Sequence, residues 1–112
     1  MPSTTNYQKG DLVLIDFPFS GGPQVKARPA MVVLDSGDQD VLVARVTTHS
    51  QSTSFDLPLA QWQAGGLLAK SWVRLHKLAT LEKRLVRRTL GQVHPADRAK
   101  IAAVLHQAFS NW

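Results

Sequence analysis

Apolar and polar positions along this chain alternate with a short period over most of its length and change to a helical period only near the end. "GDLVLIDFPF" (residues 10–19) is dense in β-formers and predicts a first strand, ended by Pro18 and the loop "SGGPQ". In "VKARPAMVVL" (25–34) a second strand is expected from about Pro29 to Leu34, since proline is tolerated at a strand's first position. "DSGDQD" predicts a turn with Gly37 and Asp38 as the two central residues of a hairpin, and "VLVARVTTH" (41–49) the return strand. "SFDLPL" predicts a short strand and "AQWQAGG" a helical turn stopped by Gly65 and Gly66. "SWVRLHKLATL" sets Trp72, Arg74 and His76 against Val73, Leu75 and Lys77, the alternation of a half-exposed strand, and "LVRRTLGQV" predicts another.

The last segment changes period. Pro95 suits a first helical position, and Asp97 lies in the first turn, where the helix dipole favours an acid. Ile101, Val104, Leu105, Ala108 and Phe109 then form one apolar stripe, which Trp112 extends. The expectation is a mainly β (α+β) fold: short strands in a small, strongly bent sheet or barrel, with a terminal amphipathic helix over 95–112 packed on it. Residues 1–9 read as a polar N-terminal tail, and 1–112 as one domain.

Composition narrows the class of partner. No apolar run approaches the ~20 residues of a membrane span, and the first ten residues lack an apolar signal-peptide core, so a cytoplasmic, membrane-free protein is expected. The absence of cysteine excludes disulfides and thiolate metal sites. A net charge of +5 and a pI near 10.1 favour an anionic partner, either nucleic acid or an acidic polypeptide. His49, His76, His94 and His106 have no histidine neighbour at helical spacing, which argues against a metal.

The hairpin gives Arg28 a neighbour. With Gly37 and Asp38 at the turn, Ala30 faces Arg45 and Arg28 faces Thr47 on one side of the sheet. The centres of both strands are apolar on both faces, so this register should be firmly set. A guanidinium offers a fixed fork of donors that matches phosphate oxygens, and a threonine hydroxyl adds one more. Such a pair can stabilise the extra charge of a pentacoordinate phosphoryl transition state. An edge arginine solvated beside a β-favouring threonine is the plain alternative.

The motifs "GDLVLIDF", "RPAMVV" and "RLHKLATLEKRL", in that order and with "VLVARVTTHS" between them, resemble the PemK/MazF family of toxins from type II toxin–antitoxin systems. The resemblance covers nearly the whole chain. It implies an SH3-like barrel with a C-terminal helix, a homodimer, and a metal-independent, cofactor-free, sequence-specific endoribonuclease. Such enzymes cleave single-stranded RNA by attack of the ribose 2′-hydroxyl, and a cognate acidic antitoxin blocks the site. The family's catalytic arginine falls on Arg28 and its catalytic threonine on Thr47. Some members carry Arg-x-Asp in the later strand; here the match is Arg74-Leu75-His76. The first loop also lacks an acid before Arg28.

Transesterification benefits from a base and an acid, and an imidazole suits either role. The general base is therefore His49, His76 or neither. Lys26, Thr48, His49, Arg74 and His76 are the candidates for substrate contact. Arg84, Arg87 and Arg88 form either a phosphate track or a solvated rim. Two rivals remain: a non-catalytic toxin of the same fold that poisons DNA gyrase by protein binding, and a nuclease-dead RNA-binding module.

Overall fold

The computed structural model describes residues 5–18 and 25–112, and of Val25 the backbone alone. The elements are β1 (Asp11–Pro18), β2 (Val25–Leu34), β3 (Asp40–Thr47), β4 (Asp56–Pro58), β5 (Trp72–Glu82), a 3₁₀ turn (Lys83–Leu85), β6 (Val86–Gln92) and α1 (Pro95–Ala108). All strands pair antiparallel in one open sheet of order β4-β5-β3-β2-β1-β6. The fold is thus mainly β with one C-terminal helix. The expected loop "SGGPQ" and Phe19 before it lie outside the described residues.

Alternation along the strands sorts the apolar side chains into two cores, one on each face of the bent sheet. Leu12, Met31, Ala44, Val46, Val73 and Leu75 point to one side and are covered by Ile101, Val104 and Leu105 of α1. Val13, Ile15, Ala30, Val32, Val41 and Val43 point to the other, closed by Tyr7, Phe17, Leu81, Leu85 and Val86. Because β2 and β3 are buried on both faces, a one-residue slip would gain nothing and would displace both cores.

Several local expectations are corrected. Strand β2 begins at Val25, before Pro29, so Lys26 and Arg28 are strand residues. The β2–β3 connection is not a two-residue hairpin: it runs from residue 35 to 39, and a bulge separates Val32 from Leu34 in the ladder. Asp35 and Asp38 side chains accept from the amides of Gly37 and Asp40, turning the chain by side-chain bonds of the Asx kind. Within the N-terminal segment, the Tyr7 amide donates to Asp35 at 2.7 Å.

The helix stops at Ala108, so Trp112 lies beyond it, fully exposed, and adds nothing to the apolar stripe. Asp97 does more than complement a dipole. Its buried carboxylate accepts from the Ala60 and Gln61 amides at 3.0 and 2.8 Å, anchoring the turn that follows β4. In that turn Gly66 has φ +89°, and a side chain there would strike the Leu90 carbonyl.

Candidate active site

The β2–β3 ladder holds the expected register at Ala30↔Arg45, Met31↔Ala44 and Val32↔Val43, and it ends at Ala30↔Arg45. The expected pairing of Arg28 with Thr47 is therefore not part of the ladder. Beyond that point Arg28 pairs with Ile15 of β1 and Thr47 with Trp72 of β5. Pro29, between them, has no N–H to extend the pairing. Alternation still places Arg28, Arg45 and Thr47 on the face shared by Ala30, at the end where the two strands part company.

Thr47 is half-buried, and its hydroxyl oxygen accepts the His49 amide at 3.1 Å. That bond uses an acceptor lone pair and leaves the O–H as a donor. Because β3 stops at Thr47, His49 is not on a continuing strand: it sits in a bend with its ring exposed, and Thr48 before it is exposed too. Lys26 is exposed on β2 opposite Phe17. Arg45 lies over the Phe17 ring at 5.9 Å.

Arg74 is opposite both Arg45 on β3 and Asp56 on β4. Its Nε donates to Asp56 Oδ1 at 2.9 Å. The Asp56 side chain is completely buried and also accepts from the Thr53 hydroxyl at 2.6 Å and the Thr53 amide at 3.3 Å. Burial alone would push this carboxyl up, but the Arg74 guanidinium and the Thr53 donors outweigh it and hold it below the ordinary aspartate value. So Arg74 is a committed side chain, aimed by a buried acid.

Beyond Arg74 the alternation of β5 fails. The ladder to β3 jumps from Arg45↔Arg74 to Ala44↔Leu78, so Leu75, His76 and Lys77 have no partner on β3. This slip exposes both His76 and Lys77, where simple alternation would bury one of them. His76 Nδ1 comes to 4.0 Å from Asp56 Oδ1, and its ring lies 5.7 Å from that of Phe55.

Sequence reasoning names Arg74 and His76 as candidates but misses the buried acid that lies beside both. The available signal was that Asp56 is the sole acid between Asp40 and Glu82. The arginine track dissolves in part: Arg84 is bonded to Glu82 and Arg87 to Asp16, at 2.9 and 2.7 Å. Trp62 packs against the helix-side core, and Trp72 lies beneath Lys70 at 5.4 Å. Among the described residues no three His, Asp or Glu side chains converge as a metal site, and no helix is long and apolar enough to cross a membrane.

No curated protein matches the sequence. Solved structures do match the fold. An endoribonuclease from Mycobacterial species superposes with a TM-score of 0.75 at 22% identity, covering 96% of each chain. An endoribonuclease from Mycobacterial species in complex with its cognate antitoxin gives 0.73 at 23%, covering 93% of this chain and 96% of that one. The MazE–MazF structure from Deinococcus radiodurans gives 0.75 at 18%, covering 96% of this chain and 100% of the other. Such likenesses establish the fold. The sequence itself matches a family profile over residues 8–109, and on that ground the chain belongs to the PemK-like, MazF-like toxins of type II toxin–antitoxin systems.

Proposed function

We propose that the chain is a metal-independent, sequence-specific endoribonuclease that cleaves single-stranded RNA and is held in check by a cognate acidic antitoxin. The observation that carries this reading is the Thr47 hydroxyl, its acceptor side spent on the His49 amide, standing on the sheet face that also carries Arg28 and Arg45. The structural relatives called endoribonucleases, one of them bound to its antitoxin, support it. The bent sheet would wrap as an SH3-like barrel, and the working unit would be a homodimer.

In this reading Arg28 and Thr47 are the catalytic residues. The ribose 2′-oxygen bonds to phosphorus as its proton leaves, and the bond to the 5′-oxygen breaks as that oxygen gains a proton. The products are a 2′,3′-cyclic phosphate and a 5′-hydroxyl. Arg28 and the Thr47 O–H donate to the non-bridging oxygens, where charge accumulates in the transition state. His76 lies four residues along β5 from Trp72, the residue opposite Thr47. His49, whose amide is bonded to Thr47, and His76 are the two imidazoles that could move protons, and the general base is one of them or neither. Lys26, Thr48, Arg74 and His76 would contact the rest of the strand.

The test is cleavage of a long RNA in EDTA, with both product ends mapped. Cleavage should persist without divalent metal and leave a 5′-hydroxyl. An RNA carrying 2′-deoxyribose at the cut position should be inert. Cleavage of the deoxy substrate, or strict dependence on magnesium, would overturn the mechanism. Growth arrest without any new RNA ends would favour a protein-binding toxin instead.

A further inference from the structure

On the opposite side of the sheet from Arg28 and Thr47, the chain forms a second concavity that the catalytic reading does not use. It has a volume of about 370 Å³, and its lining includes Leu14, Pro29, Leu67, Leu90, Thr48 and Arg88. Two of these residues tie it to the site. Pro29 follows Arg28 directly, and Thr48 follows Thr47, at the place where the β2–β3 ladder has ended.

Its chemistry is that of a base pocket: apolar walls, with a few polar groups at one side. Arg88 supplies the decisive one. Among the described residues its guanidinium makes no hydrogen bond, ion pair or ring contact, whereas Arg74, Arg84 and Arg87 are each bonded to a carboxylate. Arg88 is exposed at the rim of this cavity, and a guanidinium fork there is complementary to a planar ligand with two adjacent acceptors. Among nucleobases the edge that arginine grips in this way most often is guanine O6 and N7. The remaining lining residues are apolar or carry hydroxyls and backbone groups, with no acidic side chain to repel that edge.

We propose that this cavity receives a guanine base next to the cleaved phosphate, read by Arg88, and so sets the sequence preference of the enzyme. The inference rests on the endoribonuclease reading, and its test has a readout independent of cleavage. An RNA pool randomised around the cut should show guanine enriched at one position adjacent to it. Arg88→Met should relax that preference by about 10- to 100-fold while cleavage of other sequences continues. Ala69→Phe, a plug introduced from an exposed lining position, should do the same. In parallel, binding of a 2′-deoxy-blocked oligonucleotide should weaken when 7-deazaguanine replaces guanine at that position, and this difference should vanish in Arg88→Met.

If the wild type cleaves RNA and both variants keep its preference, the pocket assignment fails while the nuclease reading stands. If the wild type cleaves nothing, the nuclease reading fails, and the 7-deazaguanine comparison alone decides the pocket. Should Arg88→Met leave RNA preference intact but abolish inhibition by the antitoxin, the cavity belongs to the protein partner, and the proposal is overturned.

Discussion

The two ends of the β2–β3 pair handle charge in opposite ways. At the turn end the Asp35 carboxylate is buried, accepts from the Tyr7 and Gly37 amides, and meets Lys83 Nζ at 2.9 Å. Burial would raise this carboxyl, but those amides and the Lys83 ammonium outweigh it and hold it low. One acid thereby joins the N-terminal segment, the turn and the 3₁₀ turn after β5. At the other end cations gather at Lys26, Arg28, Arg45 and Arg74, while the acids there are committed, Asp56 to aiming Arg74 and Asp16 to Arg87. A buried, matched pair fixes the frame; a cationic face with directed donors is left for an anion. The first kind of residue should govern stability, and the second should govern chemistry.

Asp35→Ala probes the first end and carries the largest expected effect. It leaves Lys83 buried and uncompensated, which typically costs about 3–5 kcal/mol. Urea unfolding should show that loss, while the fraction still folded cleaves RNA at the wild-type rate. A stability near wild type would dissolve the contrast drawn here.

Arg28→Lys probes the second. Charge is kept, so pure electrostatic attraction would survive at low salt. If the planar fork grips two phosphate oxygens in the transition state, turnover should fall by roughly 10²–10³, with RNA affinity changing much less. Thr47→Val should likewise keep the fold and lose rate. Single-turnover cleavage, RNA affinity and circular dichroism on both variants decide it; a folded Arg28→Lys protein with wild-type turnover removes Arg28 from catalysis.

Acid should strike both ends together. Asp35 and Asp56 have folded-state pKa values below the ordinary aspartate value of about 4. Between the two values the unfolded chain binds more protons than the folded one, so stability rises with pH there. The contribution is fully present above pH ~4 and is lost as pH falls through the depressed values. Urea midpoints measured from pH 5 downward should drop more steeply for the wild type than for an Asp35→Asn, Asp56→Asn double variant. Parallel curves would refute the linkage.

The smallest effect is expected at Arg84. Its pair with Glu82 is solvent-exposed on both sides, so solvent screens it, and Arg84→Ala should leave the unfolding curve unchanged. A clear shift there would show that exposed pairs contribute to the frame as well.

These contrasts also mark what could be read from the residues alone. The two-residue turn expected at Gly37 and Asp38 does not form, yet the register counted from it holds at Ala30, Met31 and Val32 because a bulge follows Val32. The start of the helix at Pro95 and its Ile101, Val104 and Leu105 contacts were legible, because a helix writes its period locally. Arg28, Thr47, Arg74 and His76 stood out by residue type. Their arrangement did not. Where the β2–β3 ladder stops depends on each strand's other neighbour, β1 for Arg28 and β5 for Thr47. The three-residue slip that exposes His76 and Lys77 is visible only against β3. Asp56, 18 residues from Arg74 in the chain, becomes its partner through the β4–β5 ladder. Periodicity reports which face a side chain takes within its own strand, but ladder ends, bulges and buried ion pairs are relations between strands, and only the assembled sheet decides them.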